Sequence, residues 1–224
     1  MGNNNGIVIF DVDDTLIRGQ SQQLFIKYLL KRGLISYFVY IKIITWFILY
    51  KLGFVSDPKK IAEYSFKLFK GKSKEEIEKL SKDFFQKILS KEFYEETLDI
   101  IKEHKNKGHK IILLSNAIEI IVGKISEHLN IPDYICTKLE VVNEIYTGKI
   151  SGEITYGQNK VEKIKNYLSE NNIKLEEAES WGYGDHSSDI FVLELVKYPF
   201  AVNPDKKLRK VALERNWKIL KFKK

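Results

Sequence analysis

The 224-residue chain predicts an α/β fold, a doubly wound parallel sheet whose first two strands are separated by a helical insert. Two observations carry this reading. Short apolar runs, IVIF at 7–10 and KIILL at 110–114 among them, alternate with helical stretches of ten or more residues. They are continuous rather than alternating, the pattern of strands buried on both faces. The insert follows from residues 20–108, which read as helical with no strand between.

The elements follow in order. Residues 6–10 form the first buried strand. A helical region then runs over 21–108, with breaks at Gly33, at Gly53 with Asp57-Pro58, at Gly71 with Ser73, and at Glu92. Residues 110–114 form the second strand, 117–129 a helix and 134–137 a short strand. Residues 140–150 read as a hairpin, with turn material near Asn143-Glu144 and Gly148. A helix of alternating charged and apolar positions spans 160–171. Strand 180–183, helix 189–196, strand 199–202, helix 205–215 and strand 217–220 complete the chain, with Pro204 setting the first turn of the last helix. Residues 1–19 and 109–224 would then form the core domain, and 20–108 a helical domain inserted into it.

At 44% hydrophobic residues the chain can fill a core, and its aromatic and β-branched content argues against disorder. The net charge of +7 is almost all lysine; Arg18, Arg32, Arg209 and Arg215 are the only arginines. A basic balance suits phosphorylated metabolites, anionic lipid or nucleic acid, and equally a solvated lysine surface. Neither zinc-finger spacing nor an aromatic RNA-binding pattern is present, so no nucleic-acid partner is expected. The single cysteine, Cys136, cannot form an internal disulfide and fits a reduced, cytoplasmic setting. The start of the chain does not read as a secretory signal, and Gly2 lacks the Ser or Thr four residues on that myristoylation wants.

One stretch of the insert is unusual. LISYFVYIKIITWFILYKLGFV, residues 34–55, is apolar nearly all round, interrupted by Lys42 and Lys51. A membrane span needs ~20 apolar residues, and a lysine at its centre is costly. The stretch therefore reads as a helix buried in the insert, or as one lying on a membrane or lining a greasy substrate pocket.

The chemistry begins at FDVDDTLIRG, residues 10–19, which crowds Asp11, Asp13 and Asp14 at the end of the first strand. In a doubly wound sheet, ligands bind outside the carboxyl ends of the strands. Asp11, Ser115 after KIILL and Asp185 after SWGYG all lie at that edge. Lys160 starts a helix, and Asp189 follows Asp185 by one helical turn. Crowded carboxylates become favourable when a divalent cation neutralises them, and oxygen-only ligands point to Mg²⁺. A carboxylate nucleophile, a metal, a hydroxyl, a cation and a spare acid, Asp13, together support phosphoryl transfer through an aspartyl-phosphate. A calcium loop starting at Asp11 fails, because its sixth and twelfth positions hold Leu16 and Gln22. Asp14 and Thr15 read as residues that stabilise the turn.

The ordered set Asp11, Asp13 and Thr15 (D-x-D-x-T), then Ser115 after a hydrophobic strand, Lys160, and Gly184-Asp185 with Asp189 (GD-x-x-x-D) resembles the haloacid dehalogenase superfamily of phosphatases. The closest branch is the phosphoserine-phosphatase-like subfamily IB, which AVNPDKKLRKVALERNWKIL at 201–220 also resembles. The resemblance spans about 6–220. It implies a Rossmann-like core with a type I helical cap, and a phosphomonoester as substrate. It makes Asp11 nucleophile and metal ligand, and Asp13 general acid/base and carbonyl ligand to the metal. Ser115, Asn116 and Lys160 would hold the phosphoryl group, Asp185 would complete the Mg²⁺ site, and Asp189 would orient Lys160 or a metal-bound water. Apart from the resemblance, Arg18 and Gln20 sit where the hinge of the insert should be and are candidates to touch a leaving group, and His186, beside Asp185, reads either as a substrate contact or as a plain loop histidine.

Three departures bear on the substrate. Gln20 stands where phosphoserine phosphatases carry a glutamate for the serine ammonium. Asn116 replaces a glycine, and Ser188 replaces an asparagine. The reading is a Mg²⁺-dependent phosphomonoester hydrolase acting on a small phosphorylated metabolite or an amphiphilic phosphate ester. Its rivals are a phosphoserine phosphatase proper, a phosphoacceptor signalling protein and a non-catalytic membrane-surface protein.

Overall fold

Seven strands lie in the order β4-β3-β2-β1-β5-β6-β7 in a computed structural model that describes residues 6–51, Lys59, Glu63 and residues 65–223. They are β1 (Ile7–Phe10), β2 (Lys110–Ile118), β3 (Asp133–Val142), β4 (Ile145–Ser151), β5 (Ser180–Gly184), β6 (Tyr198–Val202) and β7 (Lys218–Leu220). Every neighbouring pair is parallel except β3 and β4. All four residues of β1 are buried. Val8 and Phe10 join one apolar cluster, while Ile7 and Ile9 join another with Ile164 and Leu168 of the helix Gln158–Glu170. This two-sided burial explains the unbroken apolar run.

The register levels the strand ends that matter. Phe10 lies beside Leu113 of β2 and Tyr183 of β5, so Asp11 leaves the sheet alongside Leu114 and Gly184.

Among the described residues, helices Ser21–Lys31, Tyr37–Lys51, Lys74–Lys87 and Glu95–Asn106 lie between β1 and β2. The first ends just before Gly33, whose φ of +69° is the left-handed turn that stops it. Ser73 and Glu76 form a reciprocal capping box on the third. Phe25, Tyr28, Phe66, Phe69 and Phe84 pack the insert's interior, with Phe25 and Phe84 ring centres 4.9 Å apart. The two ends of the insert are stitched together. Arg18 N–H donates to Glu92 O at 2.7 Å, and Tyr94 N–H donates to Leu16 O at 3.0 Å.

Several boundaries differ from the sequence expectation. β2 continues through Ser115 to Ile118, because Ile118 pairs with Thr137 after a register shift, and its helix starts at Glu119. β3 is longer than the expected 134–137, since its second half pairs with β4. The turn between them is Asn143-Glu144, both at positive φ as a tight hairpin demands; Gly148 lies inside β4. The expected helix 189–196 is a 3₁₀ turn, Ser187–Asp189, followed by one turn of α-helix, Ile190–Leu193. Pro204 precedes the last helix rather than opening it. Asp205 is the N-cap of Lys206–Glu214, accepting from Leu208 N–H at 2.7 Å.

Helix Glu95–Asn106, inside the expected 20–108 insert, packs against the sheet. Its His104 Nε2 lies 3.0 Å from Tyr183 Oη on β5. Segment 71–74 also reaches the core, with Gly71 N–H donating to Tyr146 O and Lys74 N–H to Glu144 O, both at 2.9 Å. The break expected at Gly53 and Asp57-Pro58, the last part of the 34–55 stretch and Gly2 lie outside the described residues. Among the described residues, no helix is long and apolar enough to cross a membrane.

Candidate active site

Asp11, Lys160 and Asp189 meet at the carboxyl edge of β1 and β5. Lys160 Nζ donates to Asp11 Oδ1 at 2.5 Å and to Asp189 Oδ1 at 2.6 Å, with the lysine only 3% exposed. Lys160 lies on the first turn of helix Gln158–Glu170, whose apolar face anchors it on the sheet. Asp185 follows β5 directly. One carboxylate oxygen each of Asp11, Asp185 and Asp189 lies within 4.8 Å of the others. Gly184 permits this approach, because a Cβ there would sit 2.8 Å from Asp189 Cβ and 3.0 Å from its Oδ2.

The turn after β1 is closed by its own residues. Asp14, at φ +55°, accepts from Gly19 N–H at 2.9 Å and from Gln20 Nε2 at 2.8 Å. Asp13 Oδ1 accepts from Ser21 N–H at 2.9 Å, tying it to the first helix of the insert. Thr15 is fully buried and its carbonyl accepts from Thr97 Oγ1 at 3.0 Å. Ser115 is buried in β2, and its Oγ accepts from Ala117 N–H at 3.1 Å. Asn116 is exposed, and its carbonyl accepts from Thr137 Oγ1 at 3.0 Å.

The three candidates for substrate specificity have these partners in the structure. Arg18 places its guanidinium over the Tyr94 ring, 5.3 Å from the centroid. The Gln20 amide is held by Asp14. His186 Nδ1 accepts from Ser188 N–H at 3.1 Å, while its Nε2 lies 3.6 Å from Asp205 Oδ2.

Electrostatics set the site apart. Burial raises the Asp11 carboxyl to about 7, with Lys160 opposing and Asp189 and Asp13 adding to the rise. Burial, then Asp11 and Asp189, push Asp185 up to about 10. Burial raises Asp13 to about 6 against its bonds to Ser21. Burial disfavours the Lys160 ammonium, but Asp11 and Asp189 outweigh it and hold its pKa above the usual lysine value. One cation faces three carboxylates, Asp11 and Asp189 buried and Asp185 partly so, and cannot match them all when ionised. An all-oxygen set of this kind fits a hard divalent cation such as Mg²⁺.

Asp205, which sequence reasoning passed over, braces the Asp185 loop. Its N–H donates to Asp185 O at 2.8 Å, and its carboxylate accepts from Ser187 N–H at 2.9 Å. An Asp directly before a periodic helix was the available signal. Thr137 is a second brace, accepting from Thr155 N–H while donating to Asn116 O. A wide groove of about 740 Å³, lined by Trp181, Tyr198, Phe200 and Trp217, opens near the opposite ends of β5, β6 and β7, away from the carboxylates.

Comparison with known proteins agrees with this geometry. Residues 8–194 match the family of haloacid dehalogenase-like hydrolases. The chain is 27% identical over 220 residues to a histidinol-phosphatase of Neisseria meningitidis, covering 97% of this chain and 99% of that one. It is 26% identical over 219 residues to a phosphoserine phosphatase of Mycobacterium tuberculosis, covering 95% of this chain and 70% of that one. Its fold superimposes on a crystal structure from Bordetella pertussis, of unknown function, with a TM-score of 0.90 at 23% identity, covering 96% and 98% of the two chains. With the family profile running from Val8 in β1 to Glu194, through β5 and the carboxylates at its end, the chain belongs to the haloacid dehalogenase-like hydrolases.

Proposed function

We propose that the chain is a Mg²⁺-dependent phosphomonoester hydrolase that works through an aspartyl-phosphate on Asp11. The observation that carries this reading is the Lys160 ammonium bonded to both Asp11 and Asp189, with Asp185 within reach. Asp11, Asp185 and the Asp13 carbonyl would hold Mg²⁺, which when bound offsets the charge of the carboxylates and of the substrate phosphate.

An Asp11 carboxylate oxygen attacks phosphorus, forming an acyl-phosphate bond as the ester P–O bond breaks. Asp13 gives its proton to the departing alkoxide. It then takes a proton from the water that attacks the phosphoryl group, and the P–O bond to Asp11 breaks to release phosphate and restore the carboxylate. Lys160 holds Asp11 in position and faces the negative charge of the phosphoryl oxygens with Ser115 and Asn116. Asp189 orients Lys160 and, through His186 N–H at 3.1 Å, the loop that carries Asp185. Thr15 supports the turn. Residues 20–108 supply the cap over a core of 1–19 and 109–224, with helix Glu95–Asn106 serving the core side.

A small phosphorylated metabolite is the favoured substrate. Phe25, Ile26, Phe66, Phe69 and Ile118 leave only about 10 Å³ between insert and β2, whereas Leu29, Leu34, Ile35 and Leu68 line a cavity of about 320 Å³ within the insert. The names of the two relatives, histidinol-phosphatase and phosphoserine phosphatase, support the same class. Gln20 is uncharged and held by Asp14, which disfavours phosphoserine itself.

The test is phosphate release with Mg²⁺ from phosphoserine, histidinol phosphate, sugar phosphates, phosphocholine and lysophosphatidic acid, beside Asp11→Asn. Turnover by the wild type on a small ester and none by Asp11→Asn is expected. Equal release by both proteins, or none in Mg²⁺ from any ester, would overturn the assignment.

A further inference from the structure

Helix Tyr37–Lys51 presents apolar side chains that no part of the site uses. Ile43, at 1% exposure, is where it packs on the molecule. Tyr37 and Phe38 are 69% and 76% exposed, and Leu34, Val39 and Ile41 stand out beside them. Tyr37, Phe38 and Ile41 share one face of the helix, and Leu34 lies in the bend that leads into it. An exposed apolar face of this kind marks an interaction surface.

Charge identifies the occupant. Between Asp14 and Asp57 the sequence has no acidic residue, and it carries Arg18, Lys27, Lys31, Arg32, Lys42 and Lys51. Lys27 and Lys31 are exposed on the neighbouring helix Ser21–Lys31. A second copy of the chain would meet this face with the same face in a two-fold contact, setting cation against cation. An anionic bilayer complements both features, with apolar and aromatic side chains entering the headgroup boundary and lysines meeting lipid phosphates. Among the described residues the helix has 15, about 22 Å at 1.5 Å per residue, less than a ~30 Å hydrocarbon core.

We propose that this face of the insert docks on the surface of anionic membranes. Leu34, Tyr37, Phe38, Val39 and Ile41 enter the interface, and Lys27 and Lys31 lie against the lipid headgroups. The docking does not depend on the hydrolase reading, because it uses none of the carboxylate site.

Co-sedimentation of the full chain with phosphatidylcholine vesicles, with and without phosphatidylglycerol, tests it. Binding should require the anionic lipid and weaken as salt is raised. Lys27→Gln with Lys31→Gln should lower affinity by about fivefold per lysine. Tyr37→Ser with Phe38→Ser should lower it by at least about tenfold. These side chains are exposed, so both variants should keep the wild-type melting temperature. The proposal is overturned if the wild type stays in the supernatant, or if the Tyr37→Ser, Phe38→Ser variant binds as the wild type does. It is also overturned if sedimentation equilibrium finds a dimer that this variant splits, which would make the face a contact between copies.

Discussion

Lys160→Met removes the only cation facing Asp11 and Asp189 among the described residues while keeping most of the apolar stem. Two charge-assisted hydrogen bonds, at 2.5 and 2.6 Å, disappear. At about 1.5–3 kcal/mol each, they amount to roughly 3–6 kcal/mol, and relief of the buried ammonium's own desolvation offsets part of this. The expected net loss is about 3 kcal/mol, near the lower end for breaking one side of a buried ion pair. Urea unfolding at pH 8 in a chelator, compared with wild type, measures it. The Asp11 carboxyl, already raised to about 7 by burial, can be relieved by protonation, so the loss should shrink at pH 5. A loss below about 1 kcal/mol at pH 8, equal at both pH values, would refute the view that Lys160 is held as the counter-charge of two buried carboxylates.

Further outcomes follow from the same geometry. Gly184→Ala would bring a Cβ within 2.8 Å of Asp189 Cβ; it should cost about 1–3 kcal/mol in urea unfolding and lower phosphate release more than it raises KM. Asp205→Ala removes the helix N-cap and the hold on Ser187 N–H; a stability loss of about 1–2 kcal/mol should come with a higher Mg²⁺ requirement in titrations of activity. His104, buried between His109 and Tyr183, has its pKa lowered from 6.5 to about 4, by burial and then by His109. The unfolded chain therefore binds the proton first, so this contribution is complete above pH 6.5 and is lost as pH falls towards 4, by at most about 3 kcal/mol. His104→Gln should flatten that acid limb in thermal melts taken between pH 7 and 4.

Much of this fold was legible because its signals are local. IVIF and KIILL read as buried strands since both faces of β1 and β2 are covered, and Asp11, Lys160, Asp185 and Asp189 converge because each begins or ends an element at one edge of the sheet. What stayed hidden depends on distant partners. β2 runs on through Ser115-Asn116-Ala117 only because Ile118 finds Thr137 across the sheet. The apolar positions of helix Glu95–Asn106 show a buried face, but not that it turns to Tyr183 rather than to the rest of the insert. The tie between segment 71–74 and β4 joins residues about seventy positions apart, beyond any periodicity. Gln20 offered an amide for a substrate, and the Asp14 carboxylate claims it through a turn that closes only in three dimensions.

The central claim is that Asp11 carries the phosphoryl group during turnover. The direct measurement is mass spectrometry of protein acid-quenched during hydrolysis of the best ester, with peptides mapped for a phosphoryl mass shift. The account predicts the shift on the peptide holding Asp11, at the Asp11 side chain, and none on that peptide in Asp11→Asn. Phosphate release with the shift on Asp13, or with no labelled residue in the wild type, would contradict it.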